Sequence, residues 1–91
     1  MKPKFIVDVR SPQEFSRTHV EGAVNIPLEE IEQNIGVLPG LEKDSDIVLY
    51  CLSGARSAMA VSVLKQLGYT GAVNGGGIST MALNHPTASA S

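Results

Sequence analysis

Four consecutive apolar residues at positions 47–50 (Ile-Val-Leu-Tyr) limit the folds open to this chain more than any other segment. An unbroken apolar run is typical of a parallel strand, because helices cover both faces of a parallel sheet. Farther along, apolar residues recur at the helical spacing i, i+3, i+4, i+7: Ala60, Val63, Leu64 and Leu67. Gly68 follows and can end that helix. We therefore expect a buried central strand that leads into a long covering helix.

The other segments alternate between short strands and short helices. The predicted strands are residues 5–9, 23–26 and 72–74, and the predicted helices are residues 12–18, 28–36 and 79–83. Ser11, Pro12 and Glu14 have the spacing of a capping box that starts the first helix. This alternation predicts an α/β fold, with a small parallel β-sheet of four to five strands flanked by helices on both faces.

The length of 91 residues suits one domain rather than two. We expect that domain to span residues 1–83, and we expect residues 84–91, which are mostly small and polar, to be a disordered tail. Seven basic and nine acidic residues give a net charge of −2, which provides no broad cationic surface for nucleic acid. We expect a monomer that does not bind nucleic acid.

No apolar run approaches the roughly 18 residues that a membrane span needs, so no membrane association is expected. The first residues, Met-Lys-Pro-Lys, lack the apolar segment of a signal peptide. The chain as written is therefore expected in the cytoplasm. It would be periplasmic if a leader had been removed before Met1.

The single cysteine, Cys51, follows the central strand at the sheet edge where α/β proteins hold their sites. The start of the next helix should lower its pKa, since helix N-termini favour negative charge. Gly54 permits a positive φ, and Arg56 adds a permanent positive charge. Cys51 is thus the predicted nucleophile. The predicted substrate-binding residues form an anion cradle around it: Leu52, Ser53, Gly54, Ala55, Arg56 and Ser57.

The size of this cysteine loop, residues 51–57, separates two kinds of chemistry. Cysteine-dependent phosphatases use C-x5-R, whereas this chain has C-x4-R from Cys51 to Arg56. A smaller ring favours a terminal persulfide sulfur over a tetrahedral phosphate. A phosphatase or arsenate reductase on the same scaffold and a non-catalytic binding module remain as alternatives.

Other polar groups near the strand ends have simpler interpretations. Asp8 and Arg10 are first interpreted as an ion pair that locks a turn, with substrate binding by Arg10 as the second interpretation. His19 is interpreted as a hydrogen-bonded structural residue, and with His85 in the predicted tail no metal site is expected. Residues 75–77 (Gly-Gly-Gly) are not followed by the Lys-Ser/Thr of a P-loop, so they predict a tight turn that approaches the site.

Three segments together resemble the rhodanese family: residues 6–10 (Ile-Val-Asp-Val-Arg) with Glu14-Phe15, residues 19–27 (His-Val-Glu-Gly-Ala-Val-Asn-Ile-Pro), and the C-x-x-G-x-R loop at 51–56. The chain is most similar to the small single-domain bacterial members of the phage-shock-protein E type. This resemblance implies a rhodanese-like fold and a thiosulfate sulfurtransferase without metal or cofactor. It also implies that Cys51 takes the outer sulfur of thiosulfate, releases sulfite, and passes its persulfide sulfur to cyanide, a thiol or a sulfur-accepting protein.

The chain departs from the family pattern at two positions. Thr18 replaces the glycine that usually precedes the signature histidine, and Met81 replaces an aromatic residue that often follows the Gly-Gly turn. The second departure leaves the shape of the substrate pocket open.

Overall fold

A computed structural model describes residues 4–89. Its strands are β1 (Lys4–Asp8), β2 (His19–Val20), β3 (Val24–Asn25), β4 (Asp46–Cys51), β5 (Ala72–Gly77) and β6 (Thr87–Ala88). Its α-helices are α1 (Pro12–Arg17), α2 (Ile31–Asn34), α3 (Ala55–Gln66) and α4 (Ile78–Met81), with 3₁₀ turns at Leu28–Glu30 and Ile35–Val37.

Four strands form one parallel sheet in the order β3-β1-β4-β5, so β4 is internal as its apolar run predicts. Side chains alternate across β4 because successive residues of a strand point to opposite faces. Leu49 and Cys51 join the core on the face that α2 and α3 cover. Tyr50 packs on the other face, against residues of β2 and α4. The predicted α/β fold with helices on both faces is confirmed.

Helix α3 covers the sheet through the predicted apolar positions. Ala60 and Leu64 are fully buried, and Val63 and Leu67 pack against the same core. The helix begins directly after Gly54, whose φ of 98° turns the chain from β4 into α3. A positive φ is readily adopted only by glycine, which explains this residue at the junction.

The predicted helix 28–36 is more irregular than its periodicity suggests. Ile31 and Ile35 are buried as expected, but α2 is only one turn of α-helix between two 3₁₀ turns. Asn34 and Gly36 have low helix propensity, which accounts for the tightened end.

The predicted disordered tail is wrong over the residues that the structure describes. Thr87–Ala88 forms the antiparallel strand β6 against β2, and the Glu21 amide donates to the Pro86 carbonyl oxygen at 2.9 Å. This pairing satisfies backbone groups of β2, a strand that the sequence did not predict. Small polar residues carry no apolar signal for such a strand. The last two predicted tail residues, 90 and 91, lie outside the described residues.

Candidate active site

Cys51 is the last residue of β4, at the carboxyl edge of the sheet. It is only 1 % exposed and belongs to the core under α3. The chain then crosses the top of the sheet through Leu52 and Ser53, both exposed, before α3 begins. The predicted nucleophile therefore lies at the base of its loop, with most of its surface already covered by protein.

Hydrogen-bond donors surround the sulfur atom. The Gly54 amide donates to Cys51 Sγ at 2.9 Å, and the Ser57 hydroxyl lies 3.6 Å from Sγ. Burial opposes ionisation, but the Ser57 hydroxyl and the amides of Ser57, Ser53 and Gly54 outweigh it and lower the pKa of Cys51 to about 7. A large fraction of Cys51 is therefore thiolate at neutral pH.

Asn74, on the neighbouring strand β5, holds this loop in place. Its Nδ2 donates to the Gly54 carbonyl oxygen at 3.1 Å, and its Oδ1 accepts from the Ser57 hydroxyl at 2.6 Å and from the Gly76 amide at 2.9 Å. One side chain thus links the loop, the start of α3 and the end of β5. The sequence did not identify Asn74 as a site residue, although Asn74 ends a predicted strand at the sheet edge that carries Cys51 and precedes three glycines.

The glycines of β5 let two backbones approach closely below the loop. The pairing of β4 with β5 shifts register after Leu49, which leaves Gly75 as a bulge. A Cβ atom on Gly77 would overlap the Leu52 carbonyl oxygen. The predicted approach of these glycines to the site is thus observed, although they extend β5 rather than form a separate turn. Met81 packs on the opposite face of the sheet, in the core with Tyr50.

Arg56 is paired with a carboxylate. Its Nη1 and Nη2 donate to the two carboxylate oxygens of Glu14 at 2.8 and 3.0 Å. This pairing raises the pKa of Arg56 and lowers the pKa of Glu14 to about 2. The sequence analysis placed Glu14 in the capping box, which is present, and in a segment that resembles the rhodanese family, but it missed the contact of Glu14 with the cysteine loop. Arg56 thus brings its positive charge to the loop together with a compensating carboxylate, and substrate binding by Arg56 stays a prediction.

Arg10 lies in a second, buried ion pair. Its Nε donates to both carboxylate oxygens of Asp8 at 2.9 and 3.0 Å, and its Nη2 donates to Asp8 and to the Thr18 carbonyl oxygen, each at 2.6 Å. Burial opposes the Arg10 charge, but Asp8 outweighs it and raises the pKa of Arg10. These contacts are those of a locked turn. Substrate binding by Arg10 stays a prediction that they do not favour.

His19 has the contacts of a structural residue. Its Nδ1 lies 2.8 Å from the Phe15 carbonyl oxygen, and its ring stacks on the Phe15 ring with centroids 3.8 Å apart. Over residues 4–89, no group of three or more His, Cys, Asp or Glu side chains could hold a metal ion. In the same range, none of the helices has the length and apolarity to cross a membrane.

Comparison with known proteins identifies the family of this chain. The family model for the rhodanese-like domain matches residues 1–81. The chain is 36% identical over 77 residues to the thiosulfate sulfurtransferase PspE of Escherichia coli, and the alignment covers 85% of this chain and 73% of that protein. It is 35% identical over 80 residues to the human thiosulfate:glutathione sulfurtransferase, which covers 76% of this chain and 70% of that protein.

A solved structure of a rhodanese with anions from E. coli superposes with a TM-score of 0.86 at 33% identity, and the match covers 96% of this chain and 99% of that one. Nearly the whole fold is thus shared. The chain belongs to the rhodanese-like family and is a sulfurtransferase.

Proposed function

We propose that the sulfur donor is thiosulfate and that the acceptor is cyanide or a small thiol. The observation that carries this proposal is the Cys51 sulfur, held at the base of its loop by the Gly54 amide and the Ser57 hydroxyl. These donors favour a thiolate at neutral pH. The names of the bacterial and human relatives, both thiosulfate sulfurtransferases, support this donor.

In the first step, the Cys51 thiolate attacks the outer sulfur of thiosulfate. A new S–S bond forms to Cys51, the S–S bond of thiosulfate breaks, and sulfite leaves with the electron pair. Cys51 then carries a persulfide anion, and the total charge is unchanged. The loop donors that stabilise the thiolate can also stabilise the charge on the outer persulfide sulfur.

In the second step, the acceptor attacks that outer sulfur. Cyanide is converted to thiocyanate, or a thiolate is converted to a new persulfide. The S–S bond to Cys51 breaks, and its electron pair stays on the Cys51 sulfur, which regenerates the thiolate. No proton, oxidant or reductant is consumed when both partners react as anions. A thiol of low pKa leaves faster in sulfur exchange, so the Cys51 pKa of about 7 also makes the Cys51 thiolate a good leaving group.

The two alternative functions lack a supporting observation. The Gly54 amide and the Ser57 hydroxyl contact the sulfur itself, and Asn74 holds the loop closed, an arrangement that suits a single added sulfur atom better than a phosphate. A binding module would not need a thiolate. Neither alternative is therefore proposed.

Intact-mass measurement after incubation with thiosulfate tests the proposal. The wild-type protein should gain the mass of one sulfur atom, lose it with a reductant, and form thiocyanate when cyanide is added. Cys51→Ser should fold normally, because the substitution is small, and should gain no sulfur and form no thiocyanate. Unmodified wild-type mass, turnover by Cys51→Ser, or efficient hydrolysis of aryl phosphates would contradict the proposal.

A further inference from the structure

Four charged side chains form two ion pairs at the carboxyl edge of the sheet. Asp8 neutralises Arg10 in the interior, and Glu14 neutralises Arg56 beside the cysteine loop. Glu14 also contributes to the electrostatic environment of Arg10, and the Cys51 thiolate contributes to that of Arg56, so these charges act on one another. The two pairs add no net charge to the environment of the sulfur.

This cancellation affects a doubly charged donor most. Thiosulfate is a dianion, so its approach to Arg56 also brings it toward the Glu14 carboxylate. Glu14 occupies Nη1 and Nη2 of Arg56, and the Nε of Arg56 donates to no residue in the range 4–89. Arg56 therefore keeps N–H groups that can bind a sulfur donor, but the Arg56–Glu14 pair has no net positive charge to attract a dianion.

From this geometry we infer that Glu14 is a specificity-determining residue, which weakens the binding of dianionic sulfur donors relative to singly charged ones. The inference rests on the proposed function, because it concerns the donor that Cys51 attacks. It goes beyond that function by naming the residue that sets the preference. Glu14 does not touch the sulfur, so it acts through the charge and position of Arg56.

Glu14→Gln removes the Glu14 charge at nearly constant side-chain size, and with it the hydrogen bond from Arg56 Nη2 to Glu14 Oε2. A glutamine at the third position of a helix completes a capping box as a glutamate does. The Ser11 amide donates to Glu14 Oε1 at 3.0 Å, and the Glu14 amide donates to the Ser11 hydroxyl oxygen at 3.2 Å. Both contacts can persist with glutamine. The substitution therefore removes one negative charge while it keeps the start of α1.

The first experiment compares two donors that carry the same outer sulfur, thiosulfate with two charges and methanethiosulfonate with one. Glu14→Gln should lower the KM for thiosulfate about three- to tenfold, as expected for one charge at partly screened distance, and should lower that for methanethiosulfonate less. The kcat should stay within about twofold. Arg56→Gln should raise the KM for thiosulfate, because it leaves Glu14 unpaired.

Asp46→Asn is the matched control for charge. Asp46 is exposed at the start of β4, five residues before Cys51, which places it about 16 Å away at 3.3 Å per residue. Asp46→Asn removes the same charge as Glu14→Gln, but far from the loop. It should change the KM of neither donor by more than about 1.5-fold, because solvent and salt screen a charge at that distance.

A second experiment does not depend on thiosulfate chemistry. It measures the alkylation rate of Cys51 by iodoacetate, an anion, divided by the rate with neutral iodoacetamide. This ratio should be highest in Glu14→Gln, lowest in Arg56→Gln, and close to the wild-type value in the variant that carries both substitutions. If Glu14→Gln does not fold, Arg56→Gln tests the same charge, because it leaves the Glu14 carboxylate without its partner. Its ratio should then rise as added salt screens that carboxylate, and a ratio independent of salt would contradict the inference.

The outcomes separate this inference from the proposed donor. If thiosulfate leaves no persulfide while the alkylation ratios follow the expected order, the donor is wrong and the electrostatic role of Glu14 stands. If Glu14→Gln raises the KM for thiosulfate, Glu14 instead orients Arg56 for binding and the inference is wrong. Equal alkylation ratios in all variants would also overturn it.

Discussion

The two arginines at the sheet edge show how burial changes what an arginine–carboxylate pair contributes to the protein. Arg10 is 3 % exposed and its partner Asp8 is fully buried. The Arg56 side chain is 37 % exposed and that of Glu14 is 28 % exposed. Buried pairs are costly to break, whereas solvent-exposed pairs contribute little to stability. Arg10 therefore locks the fold, and Arg56 is free to influence the chemistry at Cys51.

Arg10→Ala gives the largest effect expected from this comparison. It leaves the Asp8 carboxylate buried without its partner, which should lower the free energy of unfolding by about 3–5 kcal/mol. Urea denaturation followed by circular dichroism measures the loss. Arg56→Ala is the matched control and should cost less than about 1 kcal/mol. Equal losses in the two variants would show that burial does not distinguish the pairs.

Tyr50→Phe should weaken the same buried region by a smaller amount. The Tyr50 hydroxyl accepts a hydrogen bond from the Val20 amide at 2.9 Å. Burial and a hydrogen bond to Asp8 raise the pKa of Tyr50, and the bond from Val20 opposes this rise only in part. Without the oxygen, a buried amide loses its partner, which should cost about 1–3 kcal/mol in urea denaturation.

Tyr69→Phe is the control for that substitution. Tyr69 is nearly buried, but its hydroxyl makes no hydrogen bond within residues 4–89. Its loss should change the free energy of unfolding by less than about 0.5 kcal/mol. A Tyr50→Phe variant as stable as Tyr69→Phe would mean that the Val20 contact contributes nothing.

Ser57→Ala tests the neutral contacts of the site against its charged ones. The Ser57 hydroxyl stabilises the thiolate, so its removal should raise the Cys51 pKa from about 7 toward its ordinary value of 9.0. The pH profile of iodoacetamide alkylation measures this midpoint, and alkylation near pH 7 should slow. Ser62→Ala, on an exposed part of α3, is the control. An unchanged midpoint in Ser57→Ala would assign the low pKa to other groups.

The smallest effect concerns the stability that the Glu14–Arg56 pair adds. The pKa of Glu14 falls from 4.5 to about 2 in the folded protein, so its contribution is complete above pH 4.5 and is lost as the pH falls through 2. Solvent screening keeps it below about 1 kcal/mol. Wild type should exceed Glu14→Gln in unfolding free energy at pH 7 and approach it near pH 2. A gap that persists at pH 2 would contradict this assignment.

The parts of the molecule that were predictable have signals confined to short segments. The apolar run of β4, the periodicity of α3 and the capping box of α1 each lie within about a dozen residues. Cys51 could be placed because it directly follows the clearest strand. Gly54 could be assigned its role because a positive φ strongly favours glycine.

The parts that were missed depend on contacts between distant segments. Glu14 and Arg56 are 42 residues apart, and Asn74 and Gly54 are 20 residues apart. Charge and amide groups have many possible partners, so composition does not select one. The strands β2 and β6 have two residues each, too few for a periodic pattern. Only the folded arrangement brings these groups together.

The close approach of β5 to the cysteine loop bears on protein design. Gly77 lies where a Cβ atom would overlap the Leu52 carbonyl oxygen, and Asn74 on the same strand holds the Gly54 carbonyl oxygen. The hexapeptide 51–56 is therefore one half of a two-part unit. A scaffold that received only this hexapeptide would carry a cysteine without the neighbouring strand that shapes its loop. Transplanting the site requires residues 74–77 and their register together with the loop.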